Sequence, residues 1–515
     1  METRSQLISE AEAACEAGDV VNAQRVCSIY QKQFGEDPDI LYLTGRTFLN
    51  LRQYKEAEEA LEQSYKQSNN NLALAYLIIA SSATFNRTKV EKNFSKLALN
   101  TISHFELLMH LGHSLSALNL YTQALQAFTS ASIQMPQQVE GYYHAGLMLT
   151  KLGKVEQAVE VFTQGLSYQP DHHLTLYALA QTKPDYFEAQ KMTDLLQQSA
   201  HSETSRELER NVVLAHTLAK VYAYQGAYKQ AEDILLNARA KFESEAEISE
   251  AKNAAIFDWL LDGKRENCFG SIGCASRQPI FVVGMPASGL DKIAQIISSH
   301  PDVAPPVTTN LFVHTVSQLV NGKKLPFLDL KTMLAAEELD NLQIGEGYIN
   351  ATAGLKSGDE KYTVDFQPYN FFNVSLIKRA LPNAKIIIVQ RDPLESVVLN
   401  FLKLQWPFNQ SNGYSYDLTY CCRYYRHFHN LMLRWKTVFG DSIKVQSYTS
   451  LRCNFDEEVE ALFNYCGLSQ VDKKNQSVQT RLSALQDQLG QGTDVNRYKR
   501  FVEIVETKLS DIITD

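Results

Sequence analysis

The chain has 515 residues, 44% hydrophobic and 21% charged, with a formal net charge of −9. At roughly 150 residues per domain this length predicts more than one domain, and the composition excludes a wholly disordered chain. No apolar run approaches the ~18–20 residues needed to cross a bilayer. The start, Met1-Glu-Thr-Arg-Ser-Gln-Leu, lacks the charged-then-apolar pattern of a leader, so a cytoplasmic protein with no membrane partner is expected. The eight cysteines are scattered, without paired metal-ligand spacing, and no metal is expected. The vicinal pair Cys421–Cys422 reads as helix packing, because adjacent cysteines bond only with strain.

Charge is uneven along the chain. Residues 1–250 hold 21 Lys+Arg and 30 Asp+Glu, a net of −9, which leaves 28 of each in residues 251–515. An acidic first half disfavours nucleic acid, whose phosphates need a basic surface. It favours a basic peptide or protein segment, with salt sensitivity, or is simply a solvated face.

The first half is a repeat array. Tyr142, Ala145, Gly146, Leu149, Ala158, Phe162, Gly165 and Pro170 share every offset with Leu108, Leu111, Gly112, Leu115, Ala124, Phe128, Ala131 and Pro136. The two sets lie 34 residues apart, the tetratricopeptide period. Leu41, Thr44, Gly45, Phe48, Ala57, Leu61 and Ser64 follow the pattern, as do residues around Ala11 and Ala23 and around Ala215 and Ala231. Each repeat is expected to be two antiparallel helices: small residues such as Gly112 and Ala124 allow close approach, and Phe128 fills the gap. Glycine ends the first helix at Gly18, Gly153 and Gly226. The array is predicted over residues 1–250, with degenerate but helical repeats near 72–104 and 174–211, the second broken at Lys183-Pro184-Asp185. Such arrays stack into a superhelix. Its concave face is expected to bind a peptide or protein, although a spacer or dimer surface has the same pattern.

Residues 251–278, rich in glycine and without periodicity over much of their length, read as a linker. Residues 279–515 form a second domain. Ile280–Val283 is a buried strand, Pro286-Ala-Ser-Gly289 a tight turn, and 290–299 a helix with Ile293, Ile296 and Ile297 inward. A strand, a glycine turn and a helix N-terminus together make an anion site. Gly284 and Gly289 have the spacing of a nucleotide-hydrolase phosphate loop, but Leu290 stands where its lysine belongs. A second unit runs from strand Ala384–Val389 through Gln390-Arg391-Asp392-Pro393 to a helix over 394–405. Strands alternating with helices predict an α/β domain with a largely parallel sheet. The fold class is therefore a multidomain chain: an all-α tetratricopeptide solenoid, then an α/β domain with a phosphate-loop-like turn.

These features resemble the bacterial tetratricopeptide-repeat sulfotransferases. Ile280–Pro286 and Ser299-His-Pro-Asp-Val303 are similar to that family's first motif. Asp365-x-x-Pro368-x-Asn370-Phe371 is similar to a middle motif, and Pro382–Pro393 to the strand that binds the 3′-phosphate. Tyr465–Leu468 and Asn496-Arg-Tyr-Lys-Arg-Phe501 resemble the C-terminal motifs. The resemblance implies 3′-phosphoadenosine 5′-phosphosulfate (PAPS) as donor and a hydroxyl-type acceptor, which in some relatives is tyrosine in a protein. It implies nucleotide contacts from Pro286, Ser288, Gly289 and Arg391, with added charge from Arg497, Lys499 and Arg500. The last three also read as a solvated basic helix, and both readings stay open.

The departures bear on activity. The family's Pro-Arg-Ser-Gly-Thr-Thr turn is here Pro286-Ala287-Ser288-Gly289-Leu290-Asp291, so an arginine and two threonines are replaced and a carboxylate enters the helix's first turn. Lys292 lies ~100° further round the helix. Thr308 stands at the acceptor-base position, Phe366 at a lysine position, and Leu399 at the 3′-phosphate serine, with Ser396 one turn earlier. Losing one oxyanion donor costs ~10²–10³ in rate. No catalytic residue is assigned, and a weak or inactive sulfotransferase-fold protein is expected. The alternative is an active PAPS-dependent enzyme on peptides or proteins with compensating residues. His300 is expected to cap a turn, His427 and His429 to pack, and Asp365 and Asn370 to bond backbone.

Overall fold

The computed structural model describes residues 3–199, 205–262, 272–306, 308, 310–322, 325, 327–356, 358–405, 412–469, 475–490 and 492–513. It separates into two compact units, one of Met1–Thr182 with Ala353–Ser357 and one of Lys183–Thr352 with Gly358–Asp515.

The first unit is the solenoid. Its helices pair in order: α1 (Arg4–Glu16) with α2 (Val20–Phe34), α3 (Pro38–Asn50) with α4 (Tyr54–Ser68), α5 (Asn71–Ala83) with α6 (Arg87–Phe94), α7 (Phe105–Ala117) with α8 (Tyr121–Gln134), and α9 (Val139–Lys151) with α10 (Val155–Tyr168). A final helix, α11 (His173–Thr182), packs on α10 and stops before the turn Pro184–Tyr186. The pattern of small and large residues is literal in the structure. A Cβ on Gly45 would sit 2.4 Å from the Leu61 side chain, one on Gly112 2.5 Å from Phe128, and one on Gly146 2.3 Å from Phe162. These pairs fix how closely the helices of each repeat approach.

The turn after each first helix also repeats. Gly18, Arg52, Phe85, Asn119 and Gly153 all take positive φ, between 57° and 73°. At each, the next residue's N–H bonds a carbonyl five residues back, as in Asp19 to Ala14, Gln53 to Phe48 and Lys154 to Leu149. This is the Schellman closure. Only two of the five positions use the residue type that takes positive φ without steric cost. The degenerate repeat is ordered: Ile79 is buried, and Glu91 pairs with Arg87 at 3.1 Å on the rim of α6.

The second unit begins at Lys183, well before the expected boundary at 250. Its first helices are α12 (Ala189–Ser199), α13 (Ser205–Tyr224), α14 (Tyr228–Arg239) and α15 (Glu243–Leu261). Helix α15 covers the first part of the expected linker. Residues 263–271 lie outside the described residues, and 272–278 are docked, with Cys274 N–H on the Ala380 carbonyl at 2.8 Å. Residues 251–262 and 272–278 are therefore not free linker. Buried contacts explain why α13–α15 belong here. The Arg239 guanidinium donates to His216 Nε2 at 2.9 Å and to the carbonyls of Ser415 and Lys403, and Ser249 Oγ accepts the Tyr414 N–H at 3.1 Å.

The sheet has four parallel strands, β1 (Pro279–Gly284), β2 (Thr363–Asp365), β3 (Lys385–Gln390) and β4 (Ile443–Ser447), in the order β2-β1-β3-β4. Between β1 and β2 come α16 (Leu290–Ile297), α17 (Leu311–Asn321), α18 (Leu330–Ala336) and α19 (Asn341–Thr352). Helix α20 (Val374–Ala380) precedes β3; α21 (Pro393–Leu402) and α22 (Leu418–Phe439) precede β4. The chain ends with α23 (Tyr448–Cys453), α24 (Phe455–Cys466), α25 (Gln476–Gly490), α26 (Lys499–Lys508) and α27 (Ser510–Ile513). One core joins β1, β3, α16, α23, α24 and α25 through Ile280, Ile293, Ile387, Leu451, Leu462 and Leu485. Cys421 and Cys422 are buried, unbonded thiols of α22, as their spacing predicted. No described helix is long and apolar enough to cross a membrane.

Candidate active site

The strand order reverses direction between β1 and β3, and in open parallel sheets the crevice beyond the strand C-termini at that point is where ligands bind. Two loops meet there. The first leaves β1 as Met285–Gly289 and enters α16. Ala287 takes φ +61° and Gly289 φ +92°, while Ser288 N–H bonds the Met285 carbonyl at 3.2 Å. A turn of this kind points successive N–H groups toward one place and forms an anion nest. The Ser288 hydroxyl is buried there without a hydrogen-bond partner among the described residues. Asn400 of α21 holds the turn from below, donating to the Pro286 carbonyl at 2.6 Å and accepting from Tyr414 OH at 3.2 Å.

The second loop leaves β3. Arg391 donates to the Ala287 carbonyl at 3.2 Å, so the two loops are tied directly. Its guanidinium pairs with Glu395 at 2.6 Å and lies 4.4 Å from the ring centre of Tyr448, the first residue after β4. Tyr448 also presses on Gly289, where a Cβ would come within 2.1 Å of the ring. Arg452, one turn along α23, reaches Glu395 at 3.7 Å. Glu395 was legible as an i,i+4 partner of Arg391 on a helix. Tyr448, Arg452 and Asn400 carried no motif and were missed.

Asp365 closes β2 and is fully buried. It accepts from Tyr348 OH, Asn370 Nδ2 and the Gln367 N–H, each at 3.2 Å. Burial outweighs those bonds and pushes its carboxyl up to about 7. The backbone bond expected of Asp365 is present, whereas Asn370 bonds the side chains of Asp365 and Asn373. His300 accepts the Asp302 N–H at 3.1 Å and caps its turn. His427 stacks on Phe257 at 5.1 Å and His429 on Tyr425 at 6.4 Å, both as packing.

The C-terminal basic residues have partners of their own. Arg497 pairs with Asp494 at 3.2 Å and donates to Tyr228 OH at 3.1 Å. Arg500 pairs with Asp233 at 3.0 Å, and its N–H bonds Glu232 at 2.9 Å. Tyr228, Glu232 and Asp233 lie on α14, so Arg497 and Arg500 build a helix–helix seam with it. Lys499 is exposed.

Residues 279–472 match the family model described as "Sulfotransferase family", and residues 38–71 and 139–172 match the tetratricopeptide repeat. The chain carries a sulfotransferase-family domain behind tetratricopeptide repeats. An uncharacterized protein of Aquifex aeolicus is 24% identical over 378 residues, 72% of this chain and 48% of that protein, so the chain spans about half the length of this relative. Similar solved structures include YrrB, titled a TPR protein with an unusual peptide-binding site (20% identity, 34% of this chain and 90% of that chain, TM-score 0.27). MamA of Desulfovibrio magneticus RS-1 (17%, 33% and 98%, 0.28) and a tetratricopeptide repeat protein of Parabacteroides merdae (15%, 46% and 92%, 0.30) are also similar.

The sulfotransferase family in general uses PAPS, and the lining tests whether these residues fit it. Leu290, at the phosphate-loop lysine position, is buried in the core beneath α16. Asp291 is half exposed in that helix's first turn, and Lys292 turns to Gln488 of α25 at 2.5 Å. Phe366 packs against the same core. Ser396 is buried against the Arg391 carbonyl, and Thr308 is exposed. Asp291 pairs with Lys292 at 3.8 Å and Glu395 with Arg391 at 2.6 Å, so these charged groups beside the turn are already matched to one another. The turn keeps its backbone nest, but the residues around it do not fit a phosphosulfate. Among the described residues no group of His, Cys, Asp and Glu has metal-holding geometry.

Proposed function

We propose that this protein binds a peptide or protein through its repeats, and that its sulfotransferase-fold domain is weak or inactive in PAPS-dependent sulfuryl transfer. The observation that carries the reading is the Arg391–Glu395 pair: the remaining donor-site cation is already matched by a carboxylate, and Lys292 stands 3.8 Å from Asp291. Sulfuryl transfer rests on preorganised positive charge around developing negative charge, and these residues supply little. The repeat-bound segment is basic, in keeping with the −9 charge of residues 1–250, and nucleic acid is not a partner for the same reason. Placement in the cytoplasm rests on the cysteine usage read from the sequence.

The second reading is an active PAPS-dependent enzyme on peptides or proteins. Arg452 favours it, as a cation near Glu395 that the family motifs do not call for. Transfer of labelled sulfate from PAPS to tyrosine peptides, followed together with release of the desulfonated nucleotide, decides between the two. The proposal expects neither above a protein-free control. Turnover lost in both Arg391→Ala and Arg452→Ala would establish the second reading instead.

A further inference from the structure

Three histidines follow one another along α7, α9 and the start of α11. His113 of α7 and His144 of α9 meet edge to face, their ring centres 4.4 Å apart at 84°. Phe128 of α8 lies against both, 5.2 Å from His113 and 5.0 Å from His144, and nearly parallel to the second ring. Tyr143 leads onward, 4.8 Å from His144 and 6.0 Å from His172. His172 caps α11: its Nδ1 accepts the Thr175 N–H at 3.3 Å and lies 2.7 Å from the Thr175 hydroxyl. All of these groups belong to the solenoid unit.

The arrangement suits neutral rings. Two imidazolium ions in edge-to-face contact repel, and burial has removed part of the water that would screen them. One imidazolium on Phe128 recovers part of that cost from the ring face, but a pair does not. At His172 a proton on Nδ1 takes away the lone pair that caps α11. It also places positive charge at a helix N-terminus, where the dipole opposes it. Few charged groups act on these rings. His110, one turn before His113, adds a further like charge. Glu140 of α9 and Asp171 act on His172, and neither acts on His113 or His144. Burial keeps the Tyr143 hydroxyl neutral. Burial, with His113 and His172 beside it, holds His144 down to about 4 against an ordinary 6.5.

We propose that His113, His144 and His172 form a pH switch in the repeat array: neutral rings lock α7, α8, α9 and α11 together, and proton uptake in an acidic medium loosens this stretch while α3 and α4 stay closed. An opened stretch binds the proton with ordinary affinity. The lock is therefore complete above pH ~6.5 and is lost as pH falls toward 4. From His144 alone, the opened population at pH 5 is about twentyfold that at pH 7. The switch depends neither on what the repeats bind nor on the state of the donor site.

Hydrogen exchange of the full chain, followed by mass spectrometry at pH 7 and pH 5 and corrected for intrinsic rates, reads it segment by segment. Protection over α7 to α9 should fall about twentyfold or more at pH 5, with α3 and α4 nearly unchanged as the internal reference. His144→Phe keeps the stack on Phe128, and His144→Gln keeps a polar group. Each should remove most of the response in α7 to α9, whatever it does to protection at pH 7. His172→Asn keeps a capping oxygen and should remove the response of α11. An equal fall in α3 and α4, or a response in α7 to α9 that survives both His144 variants, would overturn the switch.

Discussion

Replacing Asp365 by asparagine should stabilise the second unit at pH 8 by roughly 4 kcal/mol and remove most of its response to pH between 4 and 7. The native carboxyl is raised to about 7 against an ordinary 3.8, and every tenfold gain in proton affinity on folding is worth about 1.4 kcal/mol. The folded state therefore holds a proton that the unfolded chain releases above pH ~4. Stability falls as pH rises through this window and stays low above the folded value. Asparagine is compatible with the site: its oxygen keeps the bonds from Gln367 N–H and Asn370, and its amide faces the Tyr348 hydroxyl, which then accepts. The gain over wild type should shrink by about 2–3 kcal/mol by pH 5. His216, held neutral by burial beside Arg239, pulls in the opposite direction and cancels in the difference. All three tryptophans, Trp259, Trp406 and Trp435, lie in the second unit, so urea unfolding followed by their fluorescence reads it selectively. An equal gain at both pH values, or a loss at pH 8, would remove Asp365 from the account.

In the solenoid the largest effect should come from Phe162→Ala, which should cost about 3–5 kcal/mol. The ring is fully buried over Gly146, whose Cβ position it occupies. Phe162→Leu keeps much of the volume and should cost about 1 kcal/mol. Far-UV circular dichroism during urea unfolding ranks the three proteins. Indistinguishable midpoints for alanine and wild type would show that the glycine–phenylalanine contact does not set the helix spacing.

The repeats were legible because their decisive contacts lie within one 34-residue period: Gly112 meets Phe128 and Gly146 meets Phe162 at the same offset. The turns were only half legible, since Arg52, Phe85 and Asn119 take a backbone conformation usually marked by glycine. The boundary at 250 was misplaced for a related reason. Ala215, Leu218, Ala231 and Leu235 keep the small-and-large pattern of the array, and pattern does not say which core it joins. Arg239 decides that, through partners more than 160 residues away. In the site, β1, its turn and Arg391 were readable from a buried apolar run and its exit. Strand β4 was not: Ile-Lys-Val-Gln-Ser is short and half polar, and with it went Tyr448 and Arg452. Arg497 and Arg500 were recognisable as charge, but the acidic residues that take up Arg500 lie on α14, about half the chain away.

Titration calorimetry with 3′-phosphoadenosine 5′-phosphate measures directly whether this lining still holds the nucleotide. No saturable heat is expected below millimolar concentration, and Glu395→Gln, which frees Arg391, should bind more tightly than wild type. Micromolar binding by the wild-type chain that disappears in Arg391→Ala would contradict it.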